Sequence, residues 1–217
     1  MKKFIIAIIS SIFIANLAVA ADFTTSVGVS GNMGVYAATG TEKNYDETGT
    51  TVVTTTKEYG AFADGFGSIF AEIGNDTISL GVDYVPMTIA TPENVSNDGA
   101  NQNKVKAEFD NLITIYAKLN IPQLGGTYIK AGYSKVDITT VETMNSGSKY
   151  PNTDTSGFVA GLGYAKDIGS NGMSLRAELT YSNFDDVDVS NGATNKNTIN
   201  VEDMIGARGT ISLVKSF

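Results

Sequence analysis

The 217-residue sequence predicts an all-β fold, an antiparallel up-and-down transmembrane β-barrel of eight strands. Three observations predict it. They are an export signal at the start of the chain, eight segments whose apolar residues alternate with a period of two, and connections that alternate long and short.

Residues 1–20 have the layout of a secretory signal peptide. Lys2 and Lys3 give a charged start, 4–17 is an apolar run broken by Ser10, Ser11 and Asn16, and Ala18-Val19-Ala20 supplies the small residues of a cleavage site. An uncleaved helical anchor is the alternative, but the run is short for a bilayer span and ends in a good cleavage site. The expected organisation is a removed signal, 1–20, followed by one barrel, 21–217.

Without Lys2 and Lys3, 13 basic residues face 23 acidic ones, a formal charge of −10. An acidic exported chain has no electrostatic footprint for nucleic acid, so that partner class is set aside. Beyond residue 20 no run of 18 apolar residues occurs. Membrane insertion must then use a closed barrel, which satisfies every strand backbone group without water. Cys is absent, which excludes a disulfide framework and a lipoprotein anchor. So is His, which removes histidine-based triads, histidine general bases and most zinc sites. With no Trp either, interfacial girdles must be built from Tyr and Phe. No cofactor or metal is expected. Asp185-Asp186-Val187-Asp188 lacks the spaced ligands and glycine of a calcium loop and reads as an acidic surface loop.

The alternating segments lie at about 22–37, 58–73, 77–89, 105–119, 126–138, 157–167, 173–184 and 199–217. Four connections are long and polar: 38–57, 90–104, 139–156 and 185–198. The other three, near 75, 122 and 170, are short. That alternation suits long external loops and tight periplasmic turns, with both chain ends on the short-turn side. A soluble β-sandwich is the alternative, and it has no reason to obey this parity.

The alternation also assigns faces. In the last segment the odd residues from Ile199 to Phe217 read as lipid-facing, because the opposite register would place Arg208 in hydrocarbon. Outward aromatics then fall toward the external end in six segments: Tyr59, Tyr84, Phe109, Tyr133, Phe158 and Tyr181. Phe23, Tyr164 and Phe217 fall at the other end, giving two girdles. The second segment fits least well, since Phe62, Phe66 and Phe70 must point inward beside Asp64 and Glu72 unless a bulge at Gly65 or Gly67 switches the register.

The same assignment collects the inward charges: Asp64, Glu72, Asp83, Lys106, Glu108, Asp110, Lys118, Lys130, Arg176, Glu178, Glu202 and Arg208. In a narrow lumen they must pair, because an unpaired charge away from water is costly. A salt-bridged filling is the main reading. The other is a small gated path that prefers cations, since seven acids face five bases. An eight-stranded bore just wide enough for side chains favours the filling.

Ile211, Leu213 and Phe217 match the C-terminal assembly signal of bacterial outer-membrane proteins, while Lys215 stands where an aromatic is usual. With the signal peptide, strand parity and terminal Phe, nearly the whole mature chain resembles the small outer-membrane barrels that include the OmpA transmembrane domain, OmpX and the opacity proteins. The resemblance is architectural. It implies an outer-membrane location and contact with outer-membrane lipid and lipopolysaccharide. It also implies passage through periplasmic chaperones and the barrel-assembly machinery. Barrel enzymes of that membrane rely on His, which argues against an enzyme here. The leading expectation is a non-enzymatic surface barrel presenting long polar loops, in envelope structure, adhesion or surface contact. The alternative is a porin-like channel for small solutes.

Overall fold

The computed structural model describes residues 23–98, 101–143, 149–192 and 196–217; the expected signal peptide lies outside them. Eight antiparallel strands form the ring: β1 (Thr24–Tyr45), β2 (Val52–Gly74), β3 (Ile78–Tyr84), β4 (Asn101–Asn120), β5 (Thr127–Thr143), β6 (Thr153–Asp167), β7 (Met173–Phe184) and β8 (Asn197–Ser216). Each pairs with its sequence neighbour, and β1 pairs with β8 to close the ring. At the seam, the Phe217 N–H donates to the Thr25 carbonyl at 2.9 Å. Short segments continue the third and seventh strands above a break: Ile89–Ala90 and Asn94–Asp98 pair with β4, and Val187–Ser190 pairs with β8.

The tight turns sit where expected. The Asn75 side chain accepts the N–H groups of Thr77 and Ile78, both at 2.9 Å, which closes the β2–β3 turn. Pro122–Leu124 form one 3₁₀ turn between β4 and β5, ended by Gly125 at φ 51°.

The other ends differ from the sequence reading. Most of what reads as long loop is strand: β1 runs on to Tyr45 and β2 begins at Val52, so the first connection is only 46–51. The Asp46 carboxylate caps this turn by accepting Thr50 N–H at 3.0 Å, and those hydrogen bonds hold its pKa below the ordinary range. A bilayer span needs about 9–11 residues per strand, and β1 has 22. The strands therefore project beyond the apolar band. Outside the membrane neither face has to be apolar, so Thr, Asn and Lys replace the alternation by which a strand is recognised.

The apolar band is carried by exposed outward residues on all eight strands, among them Val29, Ile69, Leu80, Ile115, Ile129, Leu162, Leu179 and Ile211. Tyr133, Phe158 and Tyr181 make a belt across three adjacent strands, with Tyr133 paired to Phe158 and the Phe158 and Tyr181 rings 6.1 Å apart. Phe23, Tyr164 and Phe217 are exposed toward the short-turn end. Two girdle residues are corrected. Tyr84 is outward by register yet buried, its hydroxyl 3.4 Å from Asn111 Oδ1. Phe109 points into the barrel.

Phe109 is reversed by a β-bulge. Asp110 pairs with Asp137 but Ile113 pairs with Lys135, so Asn111 and Leu112 together oppose Val136. Asn111 takes the left-handed conformation, φ 54°, that such a bulge favours. A second bulge lies in β8: Ile205 pairs with Ala37 and Glu202 with Thr39, so Asp203 (φ 56°) and Met204 together oppose Ala38. Above each bulge the faces exchange. Phe109 turns inward against buried Ile89, and Lys106, Glu108 and Asp110 turn outward. Glu202 also faces out, where Lys57 reaches it at 3.0 Å across the outer wall.

Lys106, Glu108, Asp110 and Glu202 are therefore not lumen charges. This placement predicts that Glu108→Cys and Glu202→Cys react rapidly with a hydrophilic maleimide in the folded barrel, while Arg208→Cys is protected. Equal labelling of all three would contradict the two bulges. In β2 the pairing with β1 continues without interruption from Gly74 to Thr54, so no bulge intervenes at Gly65 or Gly67 and three phenylalanines do face the lumen.

Candidate functional site: a lumen closed at two levels

Below the two bulges, the inward charges among the described residues are four acids, Asp64, Glu72, Asp83 and Glu178, and four bases, Lys118, Lys130, Arg176 and Arg208. At that level acids and bases balance; Glu42, Glu58 and Glu142 lie on the inward face farther up the strands.

Glu72 on β2 is the hub. It is 4% exposed and accepts both guanidinium nitrogens of Arg176 from the far wall, at 2.6 and 2.8 Å. Its carboxylate also accepts Lys118 Nζ at 2.9 Å and the Tyr116 hydroxyl at 2.9 Å. A bidentate arginine and two further donors leave little of that carboxylate unsatisfied. Glu178 repeats the pattern with Lys130 at 2.8 Å and the Tyr128 hydroxyl at 3.0 Å. Lys130 Nζ stands 4.0 Å over the Tyr116 ring, which joins the two groups.

A third chain of polar contacts crosses four strands. Thr210 donates to Asn32 at 2.7 Å, Asn32 to Ser68 at 3.2 Å, and Ser68 to Asp83 at 2.9 Å. Arg208 lies 3.6 Å from the other Asp83 oxygen. Between these groups the space is about 10 Å³, the size of a single water position. Asp64 stands apart, accepting the N–H groups of Gly65 at 2.8 Å and Ala90 at 3.4 Å.

The aromatic rings fit this bore because they lie on glycines of the paired strand. A Cβ at Gly81 would meet Tyr116 ring atoms at 2.5 Å, and one at Gly163 would meet Tyr128 at 2.3 Å. Gly81 pairs with Tyr116 and Gly163 with Tyr128, so each bare backbone lets a tyrosine lie flat and reach its glutamate. Tyr128, fully buried, was not singled out in the sequence. Its signal was a bulky residue directly across from a strand glycine, which requires the pairing register to be seen.

Above the charges the lumen changes character. Phe66, Val85, Ile89, Leu112 and Val136 form a buried apolar cluster, with Tyr36, Phe62, Phe109 and Phe184 packed against it. Phe62 stacks on Tyr36 at 5.4 Å and on Phe109 at 5.9 Å. Higher still, the Tyr150 hydroxyl reaches from the β5–β6 connection to Glu42 on β1 at 2.9 Å. Burial, and then donation to Glu42, push the Tyr150 phenol above its ordinary pKa. The contact thus needs the protonated phenol, is complete at neutral pH, and is lost only as strong alkali deprotonates it.

No family model matches the sequence, and no curated protein matches it. Solved structures do. The outer membrane protein OprG from Pseudomonas aeruginosa is 12% identical with a TM-score of 0.55, over 88% of this chain and 95% of that one. The Neisserial surface protein A is 10% identical with a TM-score of 0.38, over 88% and 97%. The outer membrane protease OmpT from Escherichia coli is 10% identical with a TM-score of 0.43, over 88% and 97%. At these identities the likeness is one of fold, carried by OprG. The chain is a small antiparallel β-barrel of the outer-membrane type.

Proposed function

We propose that the chain is a non-enzymatic integral outer-membrane barrel with an occluded lumen, exported on a cleaved signal peptide. It presents its projecting hairpins and loops outside the cell, in envelope structure, adhesion or surface contact. The observation that carries the reading is the double closure: an ion-paired layer with room for about one water, beneath an aromatic plug. A conducting pore needs a continuous wet path, and both layers interrupt it. Against an enzyme stand the lack of His and Cys and the commitment of Glu72 and Glu178 to bases within the wall. Outer-membrane lipid and lipopolysaccharide are the surrounding partners. Periplasmic chaperones and the barrel-assembly machinery act before them.

Surface labelling tests the presentation. An amine-reactive, membrane-impermeant reagent applied to intact cells is expected to modify the exposed Lys149 and Lys196, and to spare the buried Lys118 and Lys130. The protein should also shift on a denaturing gel when heated, as folded barrels do. Release from envelopes by plain buffer, or no labelling of intact cells, would overturn the reading.

A further inference from the structure

The outer wall has a shallow apolar groove of about 340 Å³ where β8 meets β1, near the short-turn end. Val27, Val29, Ile69, Met173 and Leu213 line it, with Gly28 between them. Lys215 stands at its rim. By register Lys215 lies between Val27 and Met173 on the outward face. Its ammonium donates to the Asn171 carbonyl and sits 5.4 Å over the Phe217 ring. An ammonium has three donors, so this tether holds the charge at the rim and leaves capacity for a further acceptor.

The surrounding charges point the same way. Lys166, on β6, lies in the cross-strand row Lys166–Leu175–Leu213–Val29. Among the described residues, the outward positions on the short-turn halves of the strands carry these two lysines and no acid. At the opposite end outward acids and bases are mixed and paired, as in Lys135–Asp154, Lys106–Glu108 and Lys57–Glu202. An apolar groove ending in a cation, in a neighbourhood free of outward acids, suits an amphiphile with an acyl chain and an anionic headgroup. It also accounts for Lys215 standing where the assembly pattern has an aromatic.

We infer that this groove is a binding site for one glycerophospholipid of the periplasmic leaflet, its acyl chain over Gly28 and its phosphate at Lys215. The inference rests on the outer-membrane reading above, which orients the short turns toward the periplasm.

The test is native mass spectrometry of the full barrel, refolded in detergent and titrated with phosphatidylglycerol. Wild type is expected to take up one distinct first lipid. Lys215→Met is expected to weaken that first binding about tenfold, the worth of one charge-assisted contact, and Lys215→Arg to retain it. Val29→Trp, which fills the groove without touching the cation, should cause a similar loss and serves if Lys215→Met does not fold. Lipids that add with no distinct first step, or wild-type affinity in both Lys215→Met and Val29→Trp, would overturn the site. The heat-shifted band run on the same samples separates the two failures. Its absence from wild type overturns the barrel reading, whereas a shifted band without a first lipid overturns the lipid site alone.

Discussion

Glu72→Ala is expected to destabilise the barrel by about 3–5 kcal/mol, the cost of removing one partner from a buried ion pair. The mutation strands two bases at once, since Lys118 and Arg176 are 6% and 8% exposed and both bind this carboxylate. Removing the bases as well should recover most of the loss, because the penalty comes from uncompensated charge rather than from a missing attraction. Urea unfolding in detergent, read by the heat-shifted band, would compare wild type, Glu72→Ala, and Glu72→Ala combined with Lys118→Met and Arg176→Met. If the triple variant is no more stable than the single one, the three residues do not act as a unit.

Deleting Leu112 has the second large expected effect. Asn111 and Leu112 together oppose Val136, so loss of either one leaves a regular ladder with Phe109 inward and Ile113 outward. Deletion of Leu112 puts the Asn111 amide in the apolar cluster where the buried Leu112 packs. The lost Leu costs about 2–5 kcal/mol. Leaving the amide unpaired in that cluster adds about 1–3 kcal/mol. We expect little folded barrel from this deletion, while deletion of Asn111, which keeps Leu112 inward and the ladder in register, folds close to wild type. Equal refolding yields for the Leu112 deletion and wild type would show that the upper cluster does not depend on this side chain.

Legibility in the sequence followed the membrane. Where lipid enforces an apolar outer face, as from Ile205 to Leu213 of β8 or Met173 to Tyr181 of β7, alternation gave strands and faces directly. Outside the lipid that constraint lapses. Thr, Asn and Lys of β1 and β2 then read as loop although they pair residue for residue. The bulges were faintly visible. Leu112 is apolar at an inward position and Asp203 is charged at an outward one, yet an interruption of period does not reveal which side of it keeps the register. Hence Lys106, Glu108 and Glu202 were assigned to the lumen, while Lys130, Arg176, Glu178 and Arg208, below both bulges, lie inside it. Which base meets which acid was beyond alternation, since Arg176 crosses the bore to Glu72 and that reach depends on the ring being closed.

Single-channel recording of the purified barrel in planar bilayers tests the occluded lumen most directly. Wild type is predicted to give no persistent open steps, because the Glu72 layer and the Phe62–Phe109 plug both block the bore. Reproducible, long-lived conductance steps from wild-type protein would contradict the closure at both levels.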